Sequence, residues 1–346
     1  MGALSMTSAG LKKTSQVAAT VSYWPHRLAV ALLCSTLLLI CVGGLVTTQG
    51  AGMAFKDWPT SDGSNMFLYP WFRAANDKFV EHGHRLFGAL VGMIAIALCL
   101  SLWLKENRRW LGWMGVLALV LVIVQGVLGG MRVLGNDVQL AKIHGCIAPL
   151  FFSLVVAIAV CTSRWWREGR IVRCIASGRL KRLAVVTATL AYLQLVLGAQ
   201  LRHVAPEANG DLFRIALVFH LVVAAVLFFD VVFLFLLAIK NLRGEKVLLR
   251  PTQFLLGLVV LQLFLGMGTW VLKYSWPAGI FSQSRLVAGW TNTAGGITES
   301  LVITGHVAIG SLILGVAVMA GLRFCHGARN VSSPQAKSYP LMGVTT

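Results

Sequence analysis

Apolar residues run nearly unbroken for about 17 to 25 positions at a time, long enough to cross a bilayer core. Eight such runs fall near 27–47, 84–104, 110–131, 140–161, 183–201, 213–239, 253–272 and 299–320. Short stretches rich in charge, proline and aromatic residues separate them. The pattern predicts an all-α polytopic membrane protein with eight transmembrane helices. A tail over 1–26 precedes the first run, and a long loop from Gly50 to Val80 joins the first to the second. That loop carries Trp58, Tyr69 and Trp71, which serve either as interface anchors or as a cover for something bound at the helix mouths.

Two repeats overlie this pattern. In the odd helices, Gln125-Gly-Val-Leu-Gly129 recurs as Gln194-Leu-Val-Leu-Gly198 and as Gln262-Leu-Phe-Leu-Gly266. In the even helices, His84, His144, His220 and His306 are each followed four residues later by a small residue: Gly88, Ala148, Ala224 and Gly310. The other histidines, His26, His82, His203 and His326, have larger residues there. Duplication predicts two pseudo-symmetric four-helix bundles, 27–161 and 183–320, joined by a basic linker over 162–182 and followed by a tail over 321–346.

Composition then sharpens the class. Hydrophobic residues make up 57% of the 346 and charged ones only 12%, about half the usual soluble share. A net charge of +18 could suggest nucleic acid. With the N-terminus placed in the cytoplasm, however, most Lys and Arg fall in the tails and inner loops, and most acids fall outside. Positive-inside bias accounts for the basic balance, so no nucleic-acid partner is needed. The seven cysteines avoid the outer loops and form no CxxC, and they read as small core residues. These features place the chain in the cell inner (plasma) membrane with both termini cytoplasmic, among lipids, with a homo-oligomer open.

Ionisable residues at membrane depth mark function by default. A lone buried histidine is an ordinary helix-packing donor, but four at equivalent places form two transverse pairs, each able to hold an iron from opposite sides. A small residue one turn away lets a flat macrocycle approach the helix. The set lacks the cysteine or second carboxylate of a compact zinc site, so haem fits better.

Glu81 lies three residues before His84 on nearly the same face, and no other member of the histidine set has a glutamate there. It either relays protons beside a haem edge or caps the helix. The asymmetry assigns chemistry to the first half and a structural or electron-transfer haem to the second. Arg85, Arg132, Arg202 and Arg214 stand at outer helix mouths, suited to haem propionates or to lipid phosphates.

Taken together, these residues resemble the haem A synthase family over about 27–323. The likeness rests on the eight-helix duplication, Asp57-Trp58-Pro59, Glu81-His82-Gly83-His84-Arg85, Lys142-Ile143-His144-Gly145, Phe213-Arg214 with Phe219-His220, and Thr304-Gly305-His306. The resemblance implies oxidation of the C8 methyl of haem O to a formyl group by successive hydroxylations, with molecular oxygen as co-substrate, for cytochrome oxidase assembly. It implies that His84 and His144 face substrate haem, that Glu81 is catalytic, and that His220 and His306 ligate the iron of a resident haem b. A haem O synthase is a candidate partner, and the electron donor is unspecified. A di-haem membrane electron carrier linked to quinol, or a haem transport and assembly protein, is the alternative. This sequence departs from the family in lacking an outer-loop cysteine pair, in having Thr47 and Thr48 where an arginine is common, and in having Lys56 where proline is common.

Overall fold

Among the described residues, eight helices are long and apolar enough to cross a membrane. In the computed structural model they are α1 (Trp24–Thr48), α2 (Asn76–Lys105), α3 (Arg109–Gly135) and α4 (Val138–Thr162), then α5 (Ser177–Arg202), α6 (Gly210–Leu242), α7 (Lys246–Tyr274) and α8 (Ile297–Gly327). The protein is an all-α polytopic membrane protein. The structure describes residues 22–169, 171–203, 210–274 and 296–329. The bulk of both predicted tails, and Glu207 of the fifth-to-sixth loop, lie outside the described residues.

Every helix extends beyond its apolar run, because backbone hydrogen bonding continues into polar turns that hydropathy does not count. The largest difference is α2, which starts at Asn76, eight residues before the run begins at 84. Glu81 and His82 therefore sit inside a formed helix. Between α3 and α4 the chain turns in two residues. Asn136 adopts a left-handed conformation (φ 45°), and the Asp137 carboxylate accepts the Gln139 and Leu140 N–H groups at 2.7 and 3.2 Å.

Helices α1 to α4 close a ring of contacts, each packing on the next and α4 returning to α1; α5 to α8 close a second. The rings meet where α8 packs on α1 and α4 and where α4 touches α5. This explains why α4 and α8 are the most buried helices. Their contact is close: a side chain on Gly315 would meet Phe152 at 2.8 Å. At α1, a side chain on Gly44 would meet Thr304 at 2.7 Å. One apolar cluster gathers Leu234, Leu258, Leu314 and Phe324, and another gathers Leu32, Val91, Leu98 and Phe151.

The loop over 50–75 folds back onto α2 at one end of the bundle, here termed the loop end. Gly50 leaves α1 at φ 67°, a left-handed turn that favours glycine. Asp62 and Gly63, at φ 51° and 73°, make the tight turn that pairs Ser61 with Ser64. Burial raises the pKa of the Asp57 carboxyl, but hydrogen bonds from Thr60, Gly63 and Asp62 outweigh it and hold the group below the usual carboxylate range. At the opposite end, β1 (Val172–Arg173) pairs in parallel with β2 (Ala328–Arg329), tying the linker to the end of α8.

Candidate functional site: two transverse histidine pairs

Helices of even number all begin at the loop end, and their histidines lie six to ten residues inside, roughly 9 to 15 Å along each axis. The structure brings them together in two pairs. The ring centres of His84 and His144 are 6.4 Å apart with planes at 74°, and those of His220 and His306 are 6.4 Å apart with planes at 58°.

That spacing has a simple meaning. An imidazole nitrogen binds a metal at about 2 Å, and its ring centre lies about 1 Å further, so two rings on one iron stand about 6 Å apart. Among the described residues no third His, Cys, Asp or Glu joins either pair to make a protein-only metal site. Two facing imidazoles therefore suit an iron whose remaining ligands come from a macrocycle. The Nδ1 atom of His144 lies 3.2 Å from the Gln125 carbonyl oxygen. Donation there leaves Nε2 with the free lone pair that a metal requires.

The odd-helix repeat supplies the walls of these sites. A side chain on Gly43 would meet His84 Cε1 at 2.8 Å, on Gly129 His144 at 3.5 Å, on Gly198 His220 at 3.4 Å, and on Gly266 His306 at 3.1 Å. Each ring rests on a glycine of the preceding helix. The glutamines of the motif lie beside the same residues: the Gln125 and Gln194 amides donate to the backbone carbonyls of His144 and His220 at 3.1 and 3.0 Å. The repeat was visible in sequence, but its contact with the histidines depends on helix pairing and was not.

These distances separate two substitutions. In Gly43→Ala the new methyl overlaps the His84 ring, whereas in Gly129→Ala it makes ordinary contact with His144. Haem titration of the purified variants should show affinity at the first pair falling at least about tenfold for Gly43→Ala and little changed for Gly129→Ala. Equal effects would show that the glycines do not set ring position.

The small residues that follow the histidines differ in surroundings. Gly88 faces open space, whereas a side chain on Gly310 would meet Leu195 at 3.1 Å and the Gln262 amide at 3.4 Å.

Glu81 is almost fully buried, and both its oxygens are partnered. Oε1 accepts from Arg85 Nη2 at 2.9 Å, and Oε2 accepts the Phe55 N–H at 3.1 Å. Arg85 also donates to the carbonyls of Asp57 and Thr60 at 3.0 and 2.8 Å. The pair thus holds the outer loop onto α2. His82 does the same from the next position: it is fully buried, bonds Ser61 at 3.1 Å, and packs among Phe55, Tyr69 and Trp71. Sequence reading set His82 aside, and its only signal was the aromatic content of the loop. Trp58 lies against Gly130 of α3, where no side chain could fit.

The other arginines bridge elements at the loop end. Arg132 donates to the Gly52 carbonyl at 2.8 Å and lies within electrostatic range of both His84 and His144. Arg202 donates to Gly44 O and Thr48 Oγ1 at 2.7 and 2.8 Å and lies within range of His306. Arg214 pairs with Asp211 at 3.2 Å. A cavity of about 200 Å³ opens beside Arg132, lined also by Thr47, Gly52, Asn136, Asp137 and His203. Further along α6, Asp230 accepts from the Thr187 hydroxyl at 2.6 Å, a polar link between α5 and α6.

The remaining histidines have other surroundings. His26 bonds Ala159 O and Thr162 Oγ1, and His326 stacks on Trp166 with centres 4.1 Å apart.

An eight-helix bundle with two facing, half-buried histidine pairs defines a class of polytopic integral membrane proteins. Residues 26–208 match the COX15-CtaA family, described as cytochrome oxidase assembly protein, and the chain belongs to that family, the haem A synthases. It is 26% identical over 267 residues to a heme A synthase of Shouchella clausii, covering 72% of this chain and 87% of that one. It is 25% identical over 270 residues to a heme A synthase of Alkalihalophilus pseudofirmus, covering 73% and 86%. Over 147 residues it is 30% identical to a heme A synthase of Brucella ovis, covering 40% of each chain.

Proposed function

We propose that this chain converts haem O to haem A, oxidising the C8 methyl to a formyl group. His84 and His144 hold the substrate haem, and His220 and His306 hold a resident haem b. The observation that carries this reading is the 6.4 Å spacing of both ring pairs, each half-buried in a bundle whose family relatives are heme A synthases. A haem held by His220 and His306 would supply one-electron redox chemistry.

The chain's own residues supply position and protons. The methyl carbon passes through alcohol and geminal diol, and the diol loses water to leave the aldehyde. Molecular oxygen is the oxidant, and an external donor supplies the electrons. Glu81, one helical turn from His84, exchanges protons at the substrate edge while Arg85 keeps it oriented. The loop carrying Trp58 and Trp71 covers the helix mouths and keeps bulk water away. Arg132 and Arg202, beside the histidines, are placed for propionates, whereas Arg85 is committed to Glu81 and the loop, and Arg214 to Asp211. The two rings act as pseudo-symmetric halves, 27–161 and 183–320, in the inner membrane, with the loop end outward and both termini cytoplasmic, where the basic loops belong.

Haem stoichiometry tests the site assignment. Chain purified with its resident haem should take up one further equivalent of haem O. His84→Ala or His144→Ala should abolish that uptake and leave the resident haem in place. Uptake unchanged in both variants would overturn the assignment of the first pair.

A further inference from the structure

The end of α1, from Gly43 to Thr48, belongs to the first ring yet meets both rings' histidine helices. Gly43 lies against the His84 ring. Gly44, the next residue and so about 100° around the helix, faces α8 instead, where a side chain would meet Thr304 Cγ2 at 2.7 Å and Oγ1 at 3.2 Å. Thr304 is buried, and its hydroxyl has no hydrogen-bond partner among the described residues, so it meets α1 by packing. One turn on, the Thr48 hydroxyl donates to the Gly44 carbonyl at 2.7 Å and accepts from Arg202 Nη2 at 2.8 Å. Arg202 comes from the end of α5 in the second ring, donates to the Gly44 carbonyl as well, at 2.7 Å, and lies within electrostatic range of His306.

Thr304 and His306 are two residues apart and therefore on nearly opposite faces of α8. Thr304 faces α1, and the His306 ring faces α7, where a side chain on Gly266 would meet it at 3.1 Å. Helix α8 thus has one face on each neighbour, and its distance from α1 sets where the His306 ring falls. Carbon atoms in ordinary contact lie about 3.5 to 4.0 Å apart. A methyl at residue 44, 2.7 Å from Thr304, would therefore drive α8 away from α1 by about 1 Å, toward Gly266, in an interior packed too densely to absorb the shift.

We propose that the end of α1 positions the second histidine pair from across the ring boundary, Gly44 through its contact with Thr304 and Thr48 through Arg202. Gly43 of the same stretch supports His84, so this stretch holds the two pairs in fixed register for electrons that pass from one to the other. The inference rests on the reading of the four histidines as haem ligands. It makes Gly44, Thr48 and Thr304 positioning residues that act through α8 and Arg202.

The test uses the full chain purified with its resident haem, read by the electron paramagnetic resonance g-values of the ferric haem and by haem O conversion per resident haem. Gly44→Ala should shift the g-values and lower conversion at least about tenfold, within the cost of a misplacement of about 1 Å. Adding Thr304→Ser, which removes the Cγ2 methyl alone, should return the g-values and restore most of the conversion. Thr48→Val keeps the shape of the side chain, loses the acceptor for Arg202, and should shift the g-values with no added bulk. Unmoved g-values in Gly44→Ala and Thr48→Val, or a shift in Gly44→Ala that Thr304→Ser does not reverse, would overturn the proposal. If Gly44→Ala does not fold, Thr48→Val carries the test, and unmoved g-values there would overturn it. A resident-haem signal unchanged in both His220→Ala and His306→Ala would be a different failure, that of the haem-ligand reading itself.

Discussion

Alanine at His220 or at His306 should remove most of the resident haem spectrum from the purified chain. The two rings face each other at 6.4 Å, and each lies against a glycine of the preceding helix, Gly198 or Gly266. Removing one imidazole leaves the iron a single protein ligand and opens an apolar gap on the other side. Gln194 does not make up the loss, since its amide is engaged with the His220 backbone carbonyl, which remains in both variants. The measurement is the pyridine haemochrome content per chain, with the low-spin absorption bands read alongside. Content falling well below half in both variants is the expected result. Unchanged bands in both would refute the assignment of the second pair, and loss in only one would show that the other histidine is a packing residue.

Substitution at Glu81 should stop conversion while leaving the resident haem bound, and the structure dictates how that must be tested. Glu81 and Arg85 form a buried ion pair, with side chains 5% and 9% exposed. Removing one member of such a pair costs about 3 to 5 kcal/mol, because the other is left unpaired. Glu81→Ala also leaves the Phe55 N–H without its acceptor. An inactive alanine variant could therefore report a detached loop and nothing about protons. Glu81→Gln keeps the side chain's shape and one acceptor oxygen, for either the Phe55 N–H or Arg85, and cannot exchange a proton, so it disturbs the loop less than alanine does. If Glu81 is the acid and base, Glu81→Gln should lower conversion by about 10²- to 10⁴-fold, the usual contribution of such a group. Near-full conversion in Glu81→Gln, with loss in Glu81→Ala, would make Glu81 a loop anchor only.

Much of the architecture was legible in sequence because a membrane leaves few options: backbone groups in lipid must bond within their own helix. The histidine pairing was also legible, since residues at matching depth in even helices enter from the same end. What sequence did not disclose depends on contacts between distant elements. Glu81 reads as one carboxylate near one ligand, yet its second oxygen is held by Phe55, 26 residues earlier. Arg202 reads from sequence as a partner for a propionate or a lipid phosphate, yet it spans to Thr48 in α1. The Gln and Gly of the odd-helix repeat could be counted along the chain, but only helix packing shows that they touch the histidines.

The most direct measurement is chromatography of acid-acetone haem extracts from a host that makes haem O, with and without this chain. The account predicts a new peak of haem A, with its hydroxylated precursor, only when the chain is present. Haem B and haem O alone, from cells in which the chain is present and carries haem, would contradict it and leave a di-haem electron carrier as the reading.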